Sequence, residues 1–286
     1  MAQHKLYKML NPDKAAEDEA KDKAVTSPLA KAANSFWKYK VKGVQNTRVQ
    51  GKFRNFSVSE VGKEARLIYL SSLGYIVFTT DTPSFRRMAN GNYVHDRWKD
   101  WLKEMESMPV SVEPNGHRSL PFKVVQFEGS AVIEELSLRG RYDGLISIEG
   151  KLYIWELKSI YDSGFQKLDE PEWNHICQQS MYCYATKVPL GVITYENKDN
   201  QTPRYFDIEV NLETGDVVAR GKKGEYKYPA LVRQIEKKLR YIRTCIEQNK
   251  VPIKCTGCST RCDFAAVCAN VSAGKEILPF PREEQK

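Results

Sequence analysis

A short reversing segment, residues 140–159, constrains the fold of this chain more than any other stretch. Its two apolar runs, 145–148 and 152–155, flank the dipeptide Glu-Gly at 149–150. Apolar runs of this length around a glycine-containing turn are typical of a β-hairpin. The sequence therefore predicts two antiparallel strands that reverse at 149–150 and carry their charged residues at the ends.

Three charged side chains meet at the open end of this predicted hairpin. We expect Asp143 to begin the first strand and Glu156-Leu157-Lys158 to end the second. Because adjacent strands lie about 4.8 Å apart, the turn brings Asp143 back beside Glu156 and Lys158. On a strand, Glu156 and Lys158 share one face, whereas Leu157 points the other way into a core.

Two carboxylates held side by side repel each other unless a cation lies between them. A hard divalent ion such as Mg2+ or Mn2+ takes oxygen ligands and relieves that repulsion. Lys158 could then steady an attacking water or a phosphoryl oxygen. The alternative is an exposed hairpin whose polar residues simply alternate, since an Asp followed by Glu-x-Lys is a loose pattern.

The composition points to an anionic partner. The chain of 286 residues has a formal net charge of +8 and an isoelectric point near 9.0, which favours nucleic acid as the partner. No apolar run approaches the roughly 20 residues of a membrane span, so we expect a soluble, intracellular protein without a membrane partner. Seven cysteines in such a protein are expected to be reduced, buried or metal-bound.

Two helices are predicted before the hairpin. The first covers 57–74, with Ser59 as its N-cap and Gly74 as its C-terminal stop. The second covers 92–105, where apolar residues recur at helical spacing. It contains His95, which is either a structural histidine or an extra metal ligand if this helix faces the acidic end of the hairpin.

The remaining elements indicate a mixed α/β fold. A strand at 122–127 or 131–136 precedes the hairpin, a helix follows at 172–185, and a second hairpin covers 190–195 and 204–210. This order predicts a mixed central β-sheet covered by helices on both sides.

A basic helix is predicted near the C-terminus, at 229–249. Its cationic residues are Lys237, Lys238, Arg240 and Arg243. They form either a solvated face or a stripe that faces nucleic acid.

Four cysteines follow that helix within fourteen residues. They are Cys255, Cys258, Cys262 and Cys268. A Cys-x2-Cys start followed by two further cysteines favours thiolate ligation of an iron–sulfur cluster or a structural zinc. The other three cysteines, at 177, 183 and 245, lie on predicted helices and are interpreted as packing residues.

Together these motifs resemble the RecB-like branch of the PD-(D/E)XK nuclease superfamily, in particular the CRISPR-associated and phage exonucleases with a C-terminal cysteine cluster. The resemblance runs from about Ser57 to Cys268. The matching motifs are Gly91-x3-His95, Gly140-x2-Asp143, Glu156-x-Lys158 and, on the following helix, Gln178-x3-Tyr182. Each motif is weak by itself, whereas their order and spacing together are fairly specific.

The resemblance implies a restriction-endonuclease-like core, a sheet flanked by helices, with a metal site. One or two Mg2+ or Mn2+ ions are expected on His95, Asp143, Glu156 and the carbonyl of Leu157. Lys158 is expected to orient or deprotonate the attacking water.

The same resemblance gives roles to three further residues. Gln178 and Tyr182 are expected to position the DNA strand near the scissile phosphate. Arg141 either contacts a backbone phosphate or forms a surface salt bridge.

One departure from the family pattern concerns the cysteine cluster. Relatives with a [4Fe-4S] cluster usually take one cysteine from the early helix, in a Gly-x-Cys-x-Arg setting. Here the corresponding stretch is 62–66, with Glu64 in place of the cysteine. Cys262 is a candidate for the missing ligand, and zinc stays an alternative to the iron–sulfur cluster.

The resulting hypothesis is a Mg2+- or Mn2+-dependent DNA exonuclease that acts on single-stranded or unwound ends in recombination, replication or phage DNA processing. The alternatives are a non-catalytic DNA-binding subunit with a cysteine-ligated module and an endonuclease on the same core. DNA is the expected partner, together with helicase or recombination proteins, in a bacterial or phage-infected host cytoplasm. We expect a charged flexible extension at 1–34, a nuclease core with an N-terminal helical part at 35–220, and a basic helix with the cysteine cluster at 221–286.

Overall fold

A computed structural model describes residues 28–29, 32–33, 35–36, 53–75, 82–108, 120–255, 264 and 268. The predicted extension at 1–34 lies almost entirely outside the described residues, as do Cys258 and Cys262. The division of the chain at residues 35 and 221 stays a prediction.

A mixed β-sheet forms the centre of the described part of the chain. Its eight strands are β1 (Phe56–Ser57), β2 (Phe122–Ile133), β3 (Leu138–Ile148), β4 (Lys151–Ile160), β5 (Leu190–Asn197), β6 (Pro203–Val210), β7 (Val217–Gly221) and β8 (Gly224–Tyr228). Their order is β1-β3-β4-β5-β6-β7-β8, and β2 pairs with β3. The β1–β3 and β4–β5 pairs are parallel, whereas the other pairs are antiparallel.

Helices cover both faces of this sheet, as the sequence predicted. They are α1 (Ala65–Ser72), α2 (Thr82–Ser107), α3 (Asp162–Phe165), α4 (Trp173–Thr186) and α5 (Leu231–Glu247), with 3-10 turns at Val58–Glu60 and Glu134–Leu136. The larger apolar core contains residues of α1, α4 and α5. A second core lies against the other face, where α2 packs on β4.

The first helix is shorter than predicted. Gly74 adopts a left-handed φ of 78° and ends it as expected. Its start at residue 57 and the N-cap role of Ser59 are wrong, because α1 begins at Ala65 with Glu64 at the N-cap position. The preceding residues form a 3-10 turn instead, since Val58 is buried and anchors it in the core.

The hairpin turn is confirmed, whereas its strand limits were too narrow. Glu149 and Gly150 have φ values of 51° and 79°, the left-handed pair that a two-residue hairpin turn requires. Asp143 does not begin its strand but lies in the middle of β3, and Lys158 does not end β4. Both strands continue because neighbouring strands pair with the added residues, and pairing partners distant in sequence leave no local signal.

Two other parts of the sheet also differ from the prediction. The predicted strand at 122–127 and the first half of the alternative at 131–136 are parts of one strand, β2, whose register with β3 shifts between Val124 and Gln126. That irregularity interrupts the apolar alternation in the sequence. Residues 134–136 form a 3-10 turn instead of a strand. The hairpin β7–β8 was not predicted.

The basic helix α5 is partly structural. Its apolar stripe is buried, and Lys238 Nζ donates to the carbonyl oxygens of Val61 and Lys63 at 2.6 and 3.0 Å. Burial lowers the pKa of Lys238. Lys238 therefore fastens the loop before α1 rather than facing a ligand. No helix in the described ranges has the length and apolarity needed to cross a membrane.

Candidate metal centre

The candidate centre is a fork between β3 and β4. Backbone pairing of the two strands ends at Gly144 and Trp155. Beyond it, two side chains take over the ladder: Glu156 Oε1 accepts from the Asp143 amide at 3.2 Å, and Asp143 Oδ2 accepts from the Leu157 amide at 2.8 Å. The predicted meeting of Asp143 and Glu156 therefore occurs, and each carboxylate is held by a backbone N–H of the opposite strand.

Glu156 is the buried member of the pair, with 2% of its surface exposed. Its Oε2 accepts from Lys158 Nζ at 2.7 Å and from Gln178 Nε2 at 3.1 Å. Burial raises the pKa of Glu156 from 4.5 to about 7, Lys158 opposes this shift, and the Asp143 carboxylate adds to it. The centre thus holds a carboxylate whose charge becomes more favourable when a cation binds.

Leu157 fixes the orientation of this strand. Its side chain is buried on the opposite face of the sheet, in the core that contains Trp98 and Trp155. Glu156 and Lys158 consequently point together towards α4, as the alternation of the strand predicts.

His95 reaches the centre from α2. Its Nδ1 lies 3.5 Å from Asp143 Oδ1, and both side chains are partly exposed. Val94 and Trp98, on either side of it in α2, are buried against the sheet and fix the helix. A Cβ at Gly91 would have no heavy atom within 4 Å, so nothing in the structure explains the glycine of this motif.

Gln178 and Tyr182 line up on α4 against the fork. Gln178 Nε2 contacts Glu156 and also Tyr182 Oη, at 3.3 Å, and Tyr182 Oη donates to the Arg141 carbonyl at 2.8 Å. Tyr182 is buried, and that burial raises its pKa. The two side chains connect α4 to both strands of the fork.

Gly140 permits this close approach. A Cβ on Gly140 would lie 2.8 Å from the Tyr182 ring and 2.7 Å from Val58 Cβ. The glycine of the Gly140-x2-Asp143 motif is therefore required for packing between β3 and α4.

An acidic residue that the sequence analysis did not identify anchors α2. Glu196 on β5 is 1% exposed and accepts from Arg97 Nη2 at 2.5 Å and from Trp98 Nε1 at 2.6 Å. The guanidinium of Arg97 also lies 5.0 Å from the ring centre of Trp101. Because Arg97 and Trp98 directly follow the turn that carries His95, Glu196 holds that turn against the sheet. Its only sequence signal is an acid at the end of an otherwise apolar strand.

Replacement of Glu196 by glutamine should weaken this anchor. The amide keeps an acceptor for Trp98 but loses the charge opposite Arg97, so we expect the free energy of unfolding to fall by about 1.5–3 kcal/mol. Urea denaturation measures the change. The matched control is Glu209→Gln, because the Glu209 pair with Arg220 is exposed, and a surface pair contributes within about 0.5 kcal/mol. Equal losses in the two variants would contradict an anchoring role.

The possible metal ligands at the fork are of the kinds that a hard divalent cation binds, although they are not arranged as a complete metal site. Among the described residues, no group of three or more His, Cys, Asp or Glu side chains is placed to hold a metal ion. The carboxylate oxygens of Asp143 and Glu156 instead accept hydrogen bonds from backbone amides and from Lys158. Asp143, Glu156, His95 and the Leu157 carbonyl remain the groups that would hold a cation, and their oxygen-rich set matches Mg2+ or Mn2+.

The cysteine cluster is described only at its two ends. Cys255 is partly exposed and Cys268 is buried. Cys268 Sγ accepts from Arg66 Nη1 at 3.2 Å, while Arg66 Nε donates to the Pro252 carbonyl at 2.8 Å. Arg66 thus joins α1 to the C-terminal segment. The cysteines at 177, 183 and 245 are buried in the core, which agrees with the prediction that they pack.

Comparison with protein families matches residues 76–269 to the PD-(D/E)XK nuclease superfamily. This range contains the whole fork, α2 and α4. No curated protein matches the chain significantly. Among solved structures, one titled "Crystal structure of SSO0001" is similar at 14% identity, with a TM-score of 0.44 over 83% of this chain and 95% of that chain.

Proposed function

We propose that this chain, which belongs to the PD-(D/E)XK nuclease superfamily, is a metal-dependent deoxyribonuclease that hydrolyses phosphodiester bonds in DNA. The observation that carries the proposal is the fork, where Asp143, Glu156 and Lys158 contact one another directly or through a backbone amide. A surface hairpin with merely alternating charges would not bury Glu156.

Each side chain of the fork has a role that its geometry supports. A divalent cation such as Mg2+, which nucleases of this superfamily usually use, would polarise the phosphodiester and offset its charge. Asp143 and Glu156 supply the anionic oxygens that hold the cation. Lys158, whose Nζ lies 2.7 Å from Glu156 Oε2, helps to orient or deprotonate the attacking water, or donates a hydrogen bond to a phosphate oxygen. Gln178 keeps Glu156 oriented.

Within the superfamily we place the chain in the RecB-like branch, as an exonuclease of single-stranded or unwound DNA ends. The order of the motifs at 91–95, 140–143, 156–158 and 178–182 supports this placement. Recombination, replication or phage DNA processing, a helicase or recombination protein as partner, and a cytoplasmic location belong to the same proposal.

Digestion of end-labelled DNA tests the activity and its polarity. We expect purified protein with Mn2+ or Mg2+ to degrade linear single-stranded DNA from an end, to leave circular single-stranded DNA intact, and to stop in EDTA. Cleavage of the circle would identify an endonuclease. An absence of cleavage on every substrate would favour the non-catalytic DNA-binding subunit, although the presence of all of Asp143, Glu156 and Lys158 argues against that alternative.

We also propose that Cys255, Cys258, Cys262 and Cys268 ligate an iron–sulfur cluster, with zinc as the alternative. The contact between Arg66 and Cys268 supports a C-terminal segment that closes against α1. Visible absorbance and metal analysis of the purified protein separate the two ligands. A brown protein with stoichiometric iron supports a cluster, and a colourless protein with one zinc refutes it.

Stabilisation by Mg2+ is expected to depend on pH. A folded-state pKa of about 7 for Glu156 means that its protonated form stabilises the metal-free protein, and this contribution disappears as the pH rises through 7. The cation requires the charged form, so the increase in Tm produced by Mg2+ should be larger at pH 8 than at pH 6. Thermal denaturation with and without Mg2+ checks this, with Glu156→Gln as the control. Equal increases at both pH values in the unmodified protein would contradict the assignment of Glu156.

A further inference from the structure

A cationic groove lies at the edge of the sheet, beside β1. Its lining consists of Phe53, Arg54, Asn55, Phe56, Ser57 and Arg139, around a volume of about 480 Å3. The parallel pairing of β1 with β3 sets Ser57 opposite Arg139. Two arginines, one amide and the partly exposed ring of Phe53 therefore share one open surface, whereas Phe56 is buried beneath it with 1% of its surface exposed. None of the described lining residues is a carboxylate.

The arginines of this groove are available to a ligand. Arg54 is exposed and forms no ion pair with any residue in the described part of the chain. Arg139 is paired with Glu134 at 3.1 Å, with 55% and 73% of the two side chains exposed. A pair so open to water contributes little, so a phosphate can replace Glu134 at small cost.

A third arginine borders the groove from α5. Arg243 Nη1 donates to Ser137 Oγ at 2.6 Å, and its guanidinium lies 5.0 Å from the ring centre of Phe53. Its Nε also pairs with Glu247 Oε1 at 2.9 Å, in an exposed i,i+4 pair. The Phe53 ring also contacts Phe56 edge to face. Positive charge next to aromatic rings is the combination with which proteins bind single-stranded nucleic acid, since phosphates pair with the cations and bases stack on the rings.

Strand β3 connects this groove to the metal centre. From Arg139 the strand passes Arg141 and then reaches Asp143. Arg141 forms the surface salt bridge that the sequence left open, with Nη1 3.3 Å from Glu128 Oε2, and the two side chains are 70% and 44% exposed. Residues two apart on a strand are separated by about 6.6 Å, so Arg139 lies about 13 Å from Asp143 along the strand. Two arginines at regular steps, each in a solvent-exposed ion pair with a glutamate, thus lead from the groove to the fork; such pairs contribute little, so a phosphate can replace the glutamates.

We infer that this groove binds the sugar-phosphate backbone of a single DNA strand next to the phosphate that is cleaved. Arg54 and Arg139 hold phosphates, and Arg141 bridges the path to Asp143. The inference rests on the proposed nuclease function, because that function makes the fork the destination of the strand.

Anisotropy of a fluorescein-labelled 20-mer of thymidine, measured in EDTA to prevent cleavage, tests the groove. The variant is Arg54→Ala/Arg139→Ala, and the unmodified protein is titrated in parallel at 50 to 200 mM KCl. Loss of two phosphate contacts should reduce the slope of log K against log[salt] by about 1.4. Affinity at the lowest salt should fall on the order of tenfold.

A matched control removes the same charge elsewhere. Lys223→Ala/Lys227→Ala changes two exposed lysines on β7–β8, at the other end of the sheet order. We expect this control to keep the slope and to bind within about twofold of the unmodified protein. The inference is overturned if the arginine variant retains the unmodified slope and affinity, or if the lysine variant loses as much as the arginine variant. Preferential loss of duplex binding in the arginine variant would also overturn it.

Cleavage assays on the same preparations keep the two proposals apart. Failure of the unmodified protein to cut DNA in Mg2+ or Mn2+ rejects the nuclease function and leaves the binding result standing on its own. Normal cleavage together with unchanged binding by the arginine variant rejects only the groove. Equal melting temperatures of the three proteins exclude misfolding as the cause of a change.

Discussion

An Asp143→Asn variant is expected to lose DNA cleavage by a factor on the order of 10³ while keeping its fold. The amide oxygen of asparagine can still accept the Leu157 amide, the bond that Asp143 Oδ2 makes at 2.8 Å. The fork should therefore retain its shape. The substitution removes one of the two carboxylate charges on which a divalent cation depends, so the loss should appear in the rate and not in the stability.

Initial rates on end-labelled single-stranded DNA, together with melting temperatures without metal, measure this separation. Asp96→Asn is the matched control. It removes the same charge from α2 one residue after His95, and Asp96 is 72% exposed. If Asp143→Asn cleaves within tenfold of the unmodified protein, the assignment of Asp143 to a metal centre is rejected. If Asp96→Asn loses as much activity as Asp143→Asn, the loss comes from a change in net charge and not from a lost metal ligand.

Replacement of Lys158 by methionine is expected to reduce cleavage by about 10²–10⁴-fold, the range for loss of a general acid–base group. Methionine keeps the length of the side chain but removes the ammonium 2.7 Å from Glu156 Oε2. Because Lys158 lowers the pKa of Glu156, the variant should also need a higher pH to ionise that carboxylate. Its residual activity should rise with pH over a range above that of the unmodified protein.

A pH–rate profile in saturating Mn2+ tests both parts of this expectation. The control is Lys151→Met, since Lys151 begins the same strand and is exposed. A large loss in rate with an unshifted profile would assign Lys158 to water or phosphate but not to Glu156. A rate within threefold of the unmodified protein would remove Lys158 from the mechanism.

The local part of the site could be predicted from the sequence. The turn at 149–150 and the apolar runs beside it were enough to bring Asp143 to Glu156, because the register of a two-residue hairpin is determined by its turn. The helix containing Gln178 and Tyr182 was equally visible, since helical spacing is a local property. The roles of these residues in cleavage remain predictions for the assays above.

Contacts between distant segments could not be read in the same way. Glu196 joins α2 to β5 across 98 residues of sequence, and an acid at the end of an apolar strand resembles any surface residue. Arg54 comes to line the same groove as Arg139 only because β1 pairs with β3. The predicted ends of β3 and β4 were wrong for a related reason. Asp143 and Lys158 remain in strands because they pair with, or lie beside, strands that are distant in sequence.

The fork and the groove beside β1 should differ in how fast their backbone amides exchange hydrogen with solvent, because β4 lies inside the sheet and β1 does not. Tyr153 to Ile160 pair continuously with β5, and helices cover both faces of the sheet. We therefore expect the amides around Glu156 and Lys158 to exchange hydrogen with solvent mainly through opening of the whole domain. Strand β1 has two residues and lies at the edge of the sheet, so its amides should exchange through local fraying. If the proposed functions of the fork and the groove hold, cleavage would take place in the part of the molecule expected to exchange most slowly, while the groove beside β1 could adjust to a DNA strand without disturbing the fork.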